Sequence, residues 1–231
     1  VILKTGSTFE DVAAIRGDYE HWIARGLGVA EEDVLVVDAP REATFPAPET
    51  IDAMVVTGSA AMVTDREPWS VAAGELLREV VERRTPVLAI CYGHQLLADA
   101  LGGEVGDNPR GRQIGTIDLT LTAEGKRDPL LGALRSPIRF HVTHRQVVLR
   151  PPEGAVHLAS AELDPHHAFR IGERTWGVQF HPEFDAAALV TYLARRADLI
   201  REEGGDPELL ARRVEETPSG DELLARFAAL I

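Results

Sequence analysis

Short apolar runs set off by helical patterns organise the first 103 residues. Val1–Leu3 ends at Thr5-Gly6. Asp33–Ala39 holds the run Val-Leu-Val-Val, Ala53–Thr57 ends at Gly58-Ser59, and Val87–Ile90 ends at Cys91. Runs this continuously apolar are expected where both faces of a parallel sheet are covered. Between the first two, Ser7 and Glu10 have capping-box spacing, but Gly17-Asp18 interrupts the pattern that would follow. A loop or short turn is expected there. A helix from Asp18 to about Arg25 then places Tyr19, Trp22 and Ile23 on one face, and Gly26-Leu27-Gly28 closes it. Pro40–Pro48 reads as a loop. Thr64 and Glu67 repeat the capping spacing ahead of Pro68, and Val71, Leu76, Leu77 and Val80 line one side of a helix to Arg84. The helix after Cys91 runs to Leu101, where Gly102-Gly103 stops it. Strand and helix in alternation give the doubly wound α/β pattern. Sites in such sheets lie beyond the carboxyl ends of the strands, where Gly6, Gly58 and Cys91 stand.

From Glu104 the period changes. Gln113–Leu121 alternates, as a strand with one wet face does. Ile138–Thr143, Val147–Leu149, Val156–Ala161, Ala168–Ile171 and Trp176–Phe180 are further short strands, with antiparallel hairpins among them. Helix returns from Asp185 to about Glu203 and is broken by Gly204-Gly205-Asp206-Pro207. Leu209–Val214 and Glu222–Leu230 read as two more short helices, the last with Ser219 and Glu222 at capping spacing. No repeat or long linker divides the chain, so residues 1–231 are expected to form one domain.

Composition narrows the setting. Hydrophobic residues make up 45% of 231, enough for a sizeable core. The net charge of −13 argues against a nucleic-acid or anionic-membrane partner, either of which needs a basic patch. The single cysteine forms no internal disulfide, which points to a reducing compartment and a cytoplasmic protein. No apolar run approaches ~18 residues, the length that would suggest a membrane helix. Val1–Gly6 reads as strand and turn, not as a signal peptide.

The chemistry gathers at Pro86–Ala98. An apolar strand ends in the only cysteine, Gly93 follows, and a helix begins, which is how a nucleophile is placed on a tight strand-to-helix turn. A cysteine nucleophile needs a base, the base needs an orienting group, and the reaction needs oxyanion donors. Eight histidines are available, and sequence distance does not choose among them. Context favours His181: in Gly177-Val178-Gln179-Phe180-His181-Pro182-Glu183 it closes a buried strand with a carboxylate two residues on. Alone, that motif also fits a surface turn.

Cys91-Tyr92-Gly93-His94-Gln95 at such a turn, with Phe180-His181-Pro182-Glu183 ninety residues on, resembles the class I glutamine amidotransferases, most closely the glutaminase domain of GMP synthase and its stand-alone relatives. The resemblance implies a flavodoxin-like, doubly wound α/β fold with a mainly parallel sheet, a β-rich insert and C-terminal helices. It implies that Cys91 attacks the γ-carboxamide of glutamine, that His181 handles the protons and that Glu183 orients it. Backbone N–H groups of Tyr92 and of Gly58-Ser59 would form the oxyanion hole. Gln95 would contact the substrate, and the segment around His144 would hold its α-amino-acid end. Two positions depart from the family pattern: Ala89 replaces the first glycine of the elbow, and the oxyanion loop reads Gly58-Ser59-Ala60-Ala61 in place of Gly-Gly-Pro.

The function expected is hydrolysis of glutamine, with ammonia passed to an unknown acceptor enzyme. No P-loop or synthetase segment stands in the chain, so a synthetase partner would be a separate chain. Two alternatives remain: a stand-alone hydrolase of γ-glutamyl peptides or amides, and a non-catalytic binding or regulatory protein on the same fold. His94 is expected to pack, and Arg110-Gly111-Arg112 to form a solvated loop. Asp164-Pro165-His166-His167 reads as a polar turn without the spacing of a structural zinc site. No metal and no cofactor are expected.

Overall fold

A computed structural model describes residues 1–42 and 44–231. Its strands in chain order are β1 (Ile2–Lys4), β2 (Val36–Asp38), β3 (Met54–Val56), β4 (Val87–Ile90), β5 (Glu104–Asp107), β6 (Gln113–Asp118), β7 (Thr120–Leu121), β8 (Arg139–His144), β9 (Gln146–Arg150), β10 (Val156–Ser160), β11 (Ala168–Ile171) and β12 (Thr175–Val178). The helices are α1 (Glu10–Arg16), α2 (Tyr19–Leu27), α3 (Pro68–Glu82), α4 (Tyr92–Ala100), α5 (Ala186–Arg195), α6 (Ala197–Glu202), α7 (Pro207–Arg212) and α8 (Ser219–Ala228). Eight strands form the main sheet in the order β2-β1-β3-β4-β12-β11-β10-β7. It is parallel from β2 to β12 and antiparallel beyond. Two antiparallel ribbons, β5–β9 and β6–β8, stand beside it. This is the doubly wound, mainly parallel α/β sheet with a β-rich insert.

Alternate side chains of the parallel strands face opposite layers, as the period of two requires. Ile2, Val55, Leu88 and Ile90 join Ile23 of α2 and Leu223, Leu224 and Phe227 of α8 in one core. Leu3, Val56, Val87 and Ala89 join Leu77 and Val80 of α3 and Leu96 and Leu97 of α4 in the other. The last helix therefore closes one face of the sheet. Among the described residues no helix is long and apolar enough to cross a membrane.

Several local expectations change. The stretch read as a loop after Ser7 is helix α1, and Ser7 does not cap it: the N-cap is Phe9, without a side-chain bond. The capping box lies at Asp18, whose carboxylate accepts from Tyr19 N–H while His21 Nδ1 takes the Asp18 N–H. A histidine in the third position escaped a search for Glu or Gln. Neither Thr64 nor Ser219 caps its helix, because Thr64 lies in a separate 3-10 turn and Ser219 is already inside α8. Only Val36 and Val37 of the Val-Leu-Val-Val run enter the edge strand β2, and Leu35 and Val36 are exposed. The helix expected from Asp185 to Glu203 is broken at Arg196 into α5 and α6. Part of the Pro40–Pro48 loop, Ala43, lies outside the described residues.

Candidate active site

Cys91 sits between β4 and α4 with φ 51° and ψ −99°, a left-handed conformation that a side chain rarely adopts. Its N–H donates to Val178 C=O of β12 at 2.8 Å, which holds the turn to the neighbouring strand. Gly93 allows the turn: a Cβ there would come within 2.8 Å of Val56 C=O and 2.9 Å of Val56 Cβ. The strain is of the kind that places a nucleophile, at a cost of about 1–3 kcal/mol held by the surrounding sheet. The Ala89 methyl is fully buried in the core and does not disturb the elbow.

His181 lies just past β12, the strand that pairs with β4 on one side. Its N–H donates to His141 C=O at 2.9 Å. Its Nδ1 lies 2.7 Å from Glu183 Oε1, and both side chains are buried. Phe184 stacks on the ring at 4.2 Å. Ring and thiol meet over Gly58: a Cβ on that residue would lie 2.8 Å from His181 Cε1 and 3.7 Å from Cys91 Cβ. Burial pushes the imidazole toward its neutral form, but the Glu183 carboxylate and the Cys91 sulfur outweigh it and raise its pKa to about 10. Nε2 has no hydrogen-bond partner among the described residues, and the Cys91 sulfur is one of the two neighbours that raise the ring's pKa.

Gly58-Ser59 follows β3. Beneath it Thr5 Oγ1 donates to Thr57 C=O at 2.8 Å and Thr57 Oγ1 to Gly58 C=O at 3.0 Å, tying the ends of β1 and β3 together. Ser59 has no positive φ, so this turn does not demand glycine there. Its Oγ accepts from Ala61 N–H at 3.1 Å. Gly6, by contrast, is needed: a Cβ on it would meet Ser59 Cα at 2.8 Å. Tyr92 points into the core and bonds Ser70 at 2.6 Å, so only its backbone faces the site, as the first N–H of α4.

Gln95 lines the site, but its Nε2 is spent inside the protein, donating to Gln146 C=O at 2.7 Å and Gln179 Oε1 at 3.1 Å. Gln179 Nε2 in turn donates to Cys91 Sγ at 3.6 Å. Gln179, just past the end of β12, is not among the residues the sequence singles out. Nor is His141, whose Nδ1 meets Thr116 Oγ1 at 3.2 Å and whose pKa burial lowers to about 4. His144 lines the site, with Nδ1 3.1 Å from Gln146 C=O, and burial pushes its pKa to about 3. His94 packs on Phe169 and is fully buried.

Cys91, Tyr92, Gln95, Ser59, Thr143, His144, Arg112 and Arg196 enclose a cavity of only about 30 Å³. Arg196 Nε in its wall is buried without a partner among the described residues. Arg112 is held by Glu203 through two bonds of 2.8 and 3.2 Å. A groove of about 760 Å³ begins at Arg112 and Arg145, two residues that also line the cavity.

A model of the Glutamine amidotransferase class-I family matches residues 15–196. The chain is 36% identical over 170 residues to a glutamine-hydrolyzing GMP synthase of Aeropyrum pernix, an alignment that takes in 72% of this chain and 31% of that protein. It thus spans less than a third of that relative's length. It is 35% identical to one subunit of a glutamine-hydrolyzing GMP synthase from Natronomonas pharaonis, over 71% of this chain and 80% of the other. Among solved structures, a glutamine amidotransferase from Thermotoga maritima superposes with a TM-score of 0.75 at 20% identity, covering 99% of this chain and 96% of that one, a likeness of fold.

Proposed function

The chain belongs to the class-I glutamine amidotransferase family, and from that premise we propose that it hydrolyses the γ-carboxamide of glutamine through a thioester on Cys91 and delivers ammonia to an acceptor enzyme. The observation that carries this reading is the meeting of a strained Cys91 elbow with a buried His181–Glu183 pair over one glycine. The Cys91 thiol passes its proton to His181 Nε2 as the sulfur attacks the carboxamide carbon, forming the C–S bond. The negative charge moves to oxygen, where the N–H groups of Tyr92 and of the Gly58-Ser59 turn receive it. His181 gives its Nε2 proton to the departing nitrogen as the C–N bond breaks, and ammonia leaves. Water then attacks the thioester and gives a proton to His181, the C–S bond breaks as glutamate leaves, and His181 returns the proton to the sulfur. Glu183 fixes the tautomer by accepting from Nδ1–H. Gln95 acts by holding Gln179 and the Gln146 backbone. Arg196, whose Nε is buried in the cavity wall without a partner among the described residues, suits the α-carboxylate of a free amino acid.

A separate synthetase chain fits this reading, since the Natronomonas relative is by name one subunit of a synthase. A catalytic free thiol fits the reducing cytoplasm. The groove that begins at Arg112 and Arg145 supports a second reading, in which the leaving group is larger than ammonia and the substrate is a γ-glutamyl peptide. A non-catalytic binding role has no use for the buried His181–Glu183 pair.

The test is a panel of glutamine, γ-glutamyl dipeptides and glutathione, read as ammonia or amine release. Turnover of glutamine, lost by at least about 10³-fold in Cys91→Ala, supports the first reading. Preference for the dipeptides moves the function to the second. If none is turned over, even with cell extract to supply a partner, both fail.

A further inference from the structure

Three parts of the insert bring buried donor atoms to one point. His144 ends β8, Gln113 opens β6, and Asp164 and His167 stand in the connection between β10 and β11. All four side chains are buried. The Nε2 atoms of His144 and His167 lie 3.2 and 2.9 Å from Gln113 Oε1, and His167 Nε2 lies 3.9 Å from Asp164 Oδ2. The donor atoms of His144, Asp164 and His167 all lie within 4.8 Å of one another.

Hydrogen bonding does not close this cluster. A neutral imidazole has one N–H. His144 Nδ1 faces the Gln146 carbonyl at 3.1 Å, an acceptor, so the proton belongs on Nδ1 and Nε2 holds a lone pair. That lone pair points at Gln113 Oε1, another acceptor. Asp164 Oδ1 is satisfied by His166 N–H at 2.8 Å, whereas Oδ2 has no partner among the described residues. Leaving such groups buried and unpaired costs about 1–3 kcal/mol each. A cation would turn the conflicts at His144 Nε2 and Asp164 Oδ2 into bonds, while His167 Nδ1 stays buried without a partner among the described residues.

The geometry points to a transition-metal site, best suited to zinc, with His144 Nε2, His167 Nε2 and Asp164 Oδ2 as ligands and Gln113 Oε1 as the fourth donor. Tetrahedral zinc at about 2.0–2.1 Å from its ligands spaces them by about 3.3 Å. The distances of 2.9, 3.2 and 3.9 Å bracket that value. The outer contacts of a metal centre are also in place: His144 Nδ1–H on a carbonyl, and an N–H on the second oxygen of Asp164. No local spacing announced the site, because His144 and Gln113 come from distant strands. The metal would pin the Thr143–Gln146 wall of the catalytic cavity to the insert, a structural role that needs no part in the chemistry at Cys91.

The test uses full-length Cys91→Ala protein, which removes the catalytic thiol as a competing ligand. After dialysis it should retain one equivalent of zinc by mass spectrometry, and after chelator stripping it should give the visible bands of tetrahedral Co(II) on titration. Asp164→Asn and His167→Gln in the same background should each weaken Co(II) binding by at least about 100-fold, with folding checked by circular dichroism. If Cys91→Ala retains no zinc and gives no Co(II) bands, the proposal fails, and the Gln113 amide is turned so that its NH₂ donates to both imidazoles. Unchanged binding in folded Asp164→Asn and His167→Gln also overturns it. Should one ligand variant not fold, the other and the parent protein decide.

Discussion

The parallel half of the sheet and the insert are built on different principles. β1, β3 and β4 bury apolar side chains on both faces, and they contribute to the site through backbone turns: the elbow at Cys91 and the bend at Gly58. The insert buries Gln113, Asp128, His141, His144, Asp164 and His167 beside apolar residues such as Leu130, Phe140 and Leu158, so its interior combines polar contacts with packing. One half fixes a backbone shape and the other brings side-chain chemistry to it. β12 is the seam, parallel to β4 on one side and antiparallel to β11 on the other. His181 stands just past β12, so the thiol and the imidazole proposed to act on it come from the two strands at that seam.

The contrast is broken or kept by stability. Asp128 is buried and accepts from Leu130 N–H at 2.9 Å, Leu131 N–H at 3.1 Å, Trp176 Nε1–H at 3.1 Å and Arg170 Nε–H at 2.9 Å. Asp128→Ala strands those donors and should cost about 3–5 kcal/mol in urea unfolding. Leu77→Ala in the other half opens a cavity and should cost about 2–5 kcal/mol. The isosteric pair separates the principles. Asp128→Asn keeps the shape but offers an NH₂ to donors, at about 2–3 kcal/mol. Leu77→Met keeps volume and polarity, at under about 1.5 kcal/mol. If Asp128→Asn is the milder of these two, the insert is held by packing after all.

Where the halves meet, the prediction is kinetic. Gly58→Ala puts a methyl 2.8 Å from His181 Cε1, and a ring that must move by even a fraction of an ångström loses its line to sulfur. A fall in kcat of about 10²-fold with little change in melting temperature is expected. Equal loss of stability and activity would show that Gly58 serves the fold alone.

The same division explains what the chain disclosed as sequence. Continuous apolar runs announced β1, β3 and β4, and the elbow and His181-Pro182-Glu183 were legible because each is local. Gln179 and His141 were not, since their roles depend on which strands become neighbours. For the same reason Asp164-Pro165-His166-His167 reads as a polar turn with no connection to the substrate segment around His144. Helix α1 was missed because it lacks a side-chain cap, and the edge position of β2 because an apolar run does not say how many neighbours it has.

His181 offers a smaller and more specific test. Its raised pKa comes from Glu183 and Cys91 acting against burial. A base with a higher pKa folded than unfolded stabilises the fold fully below its unfolded value of about 6.5. That stability is lost as pH rises through the folded value of about 10. Glu183→Gln removes a neighbouring charge and lets burial dominate, so the His181 resonance should titrate at lower pH by NMR. The alkaline limb of kcat/KM should move the same way. An unmoved limb would assign it to another group.

The smallest effects belong to the two positions that depart from the family pattern. Ala89 lies in the fully buried middle of the sheet, where its methyl packs with Val56 and Leu97 and the backbone is ordinary strand. Ala89→Gly should therefore only loosen the strand, by about 0.5–1 kcal/mol, through chain entropy and lost packing. Ser59 keeps a negative φ, so Ser59→Gly relieves no strain. Both variants should hold kcat/KM within about threefold of wild type. A large gain in either would mean that alanine or serine distorts an oxyanion donor, and that the parallel half does not fix the backbone of the site as fully as its buried strands imply.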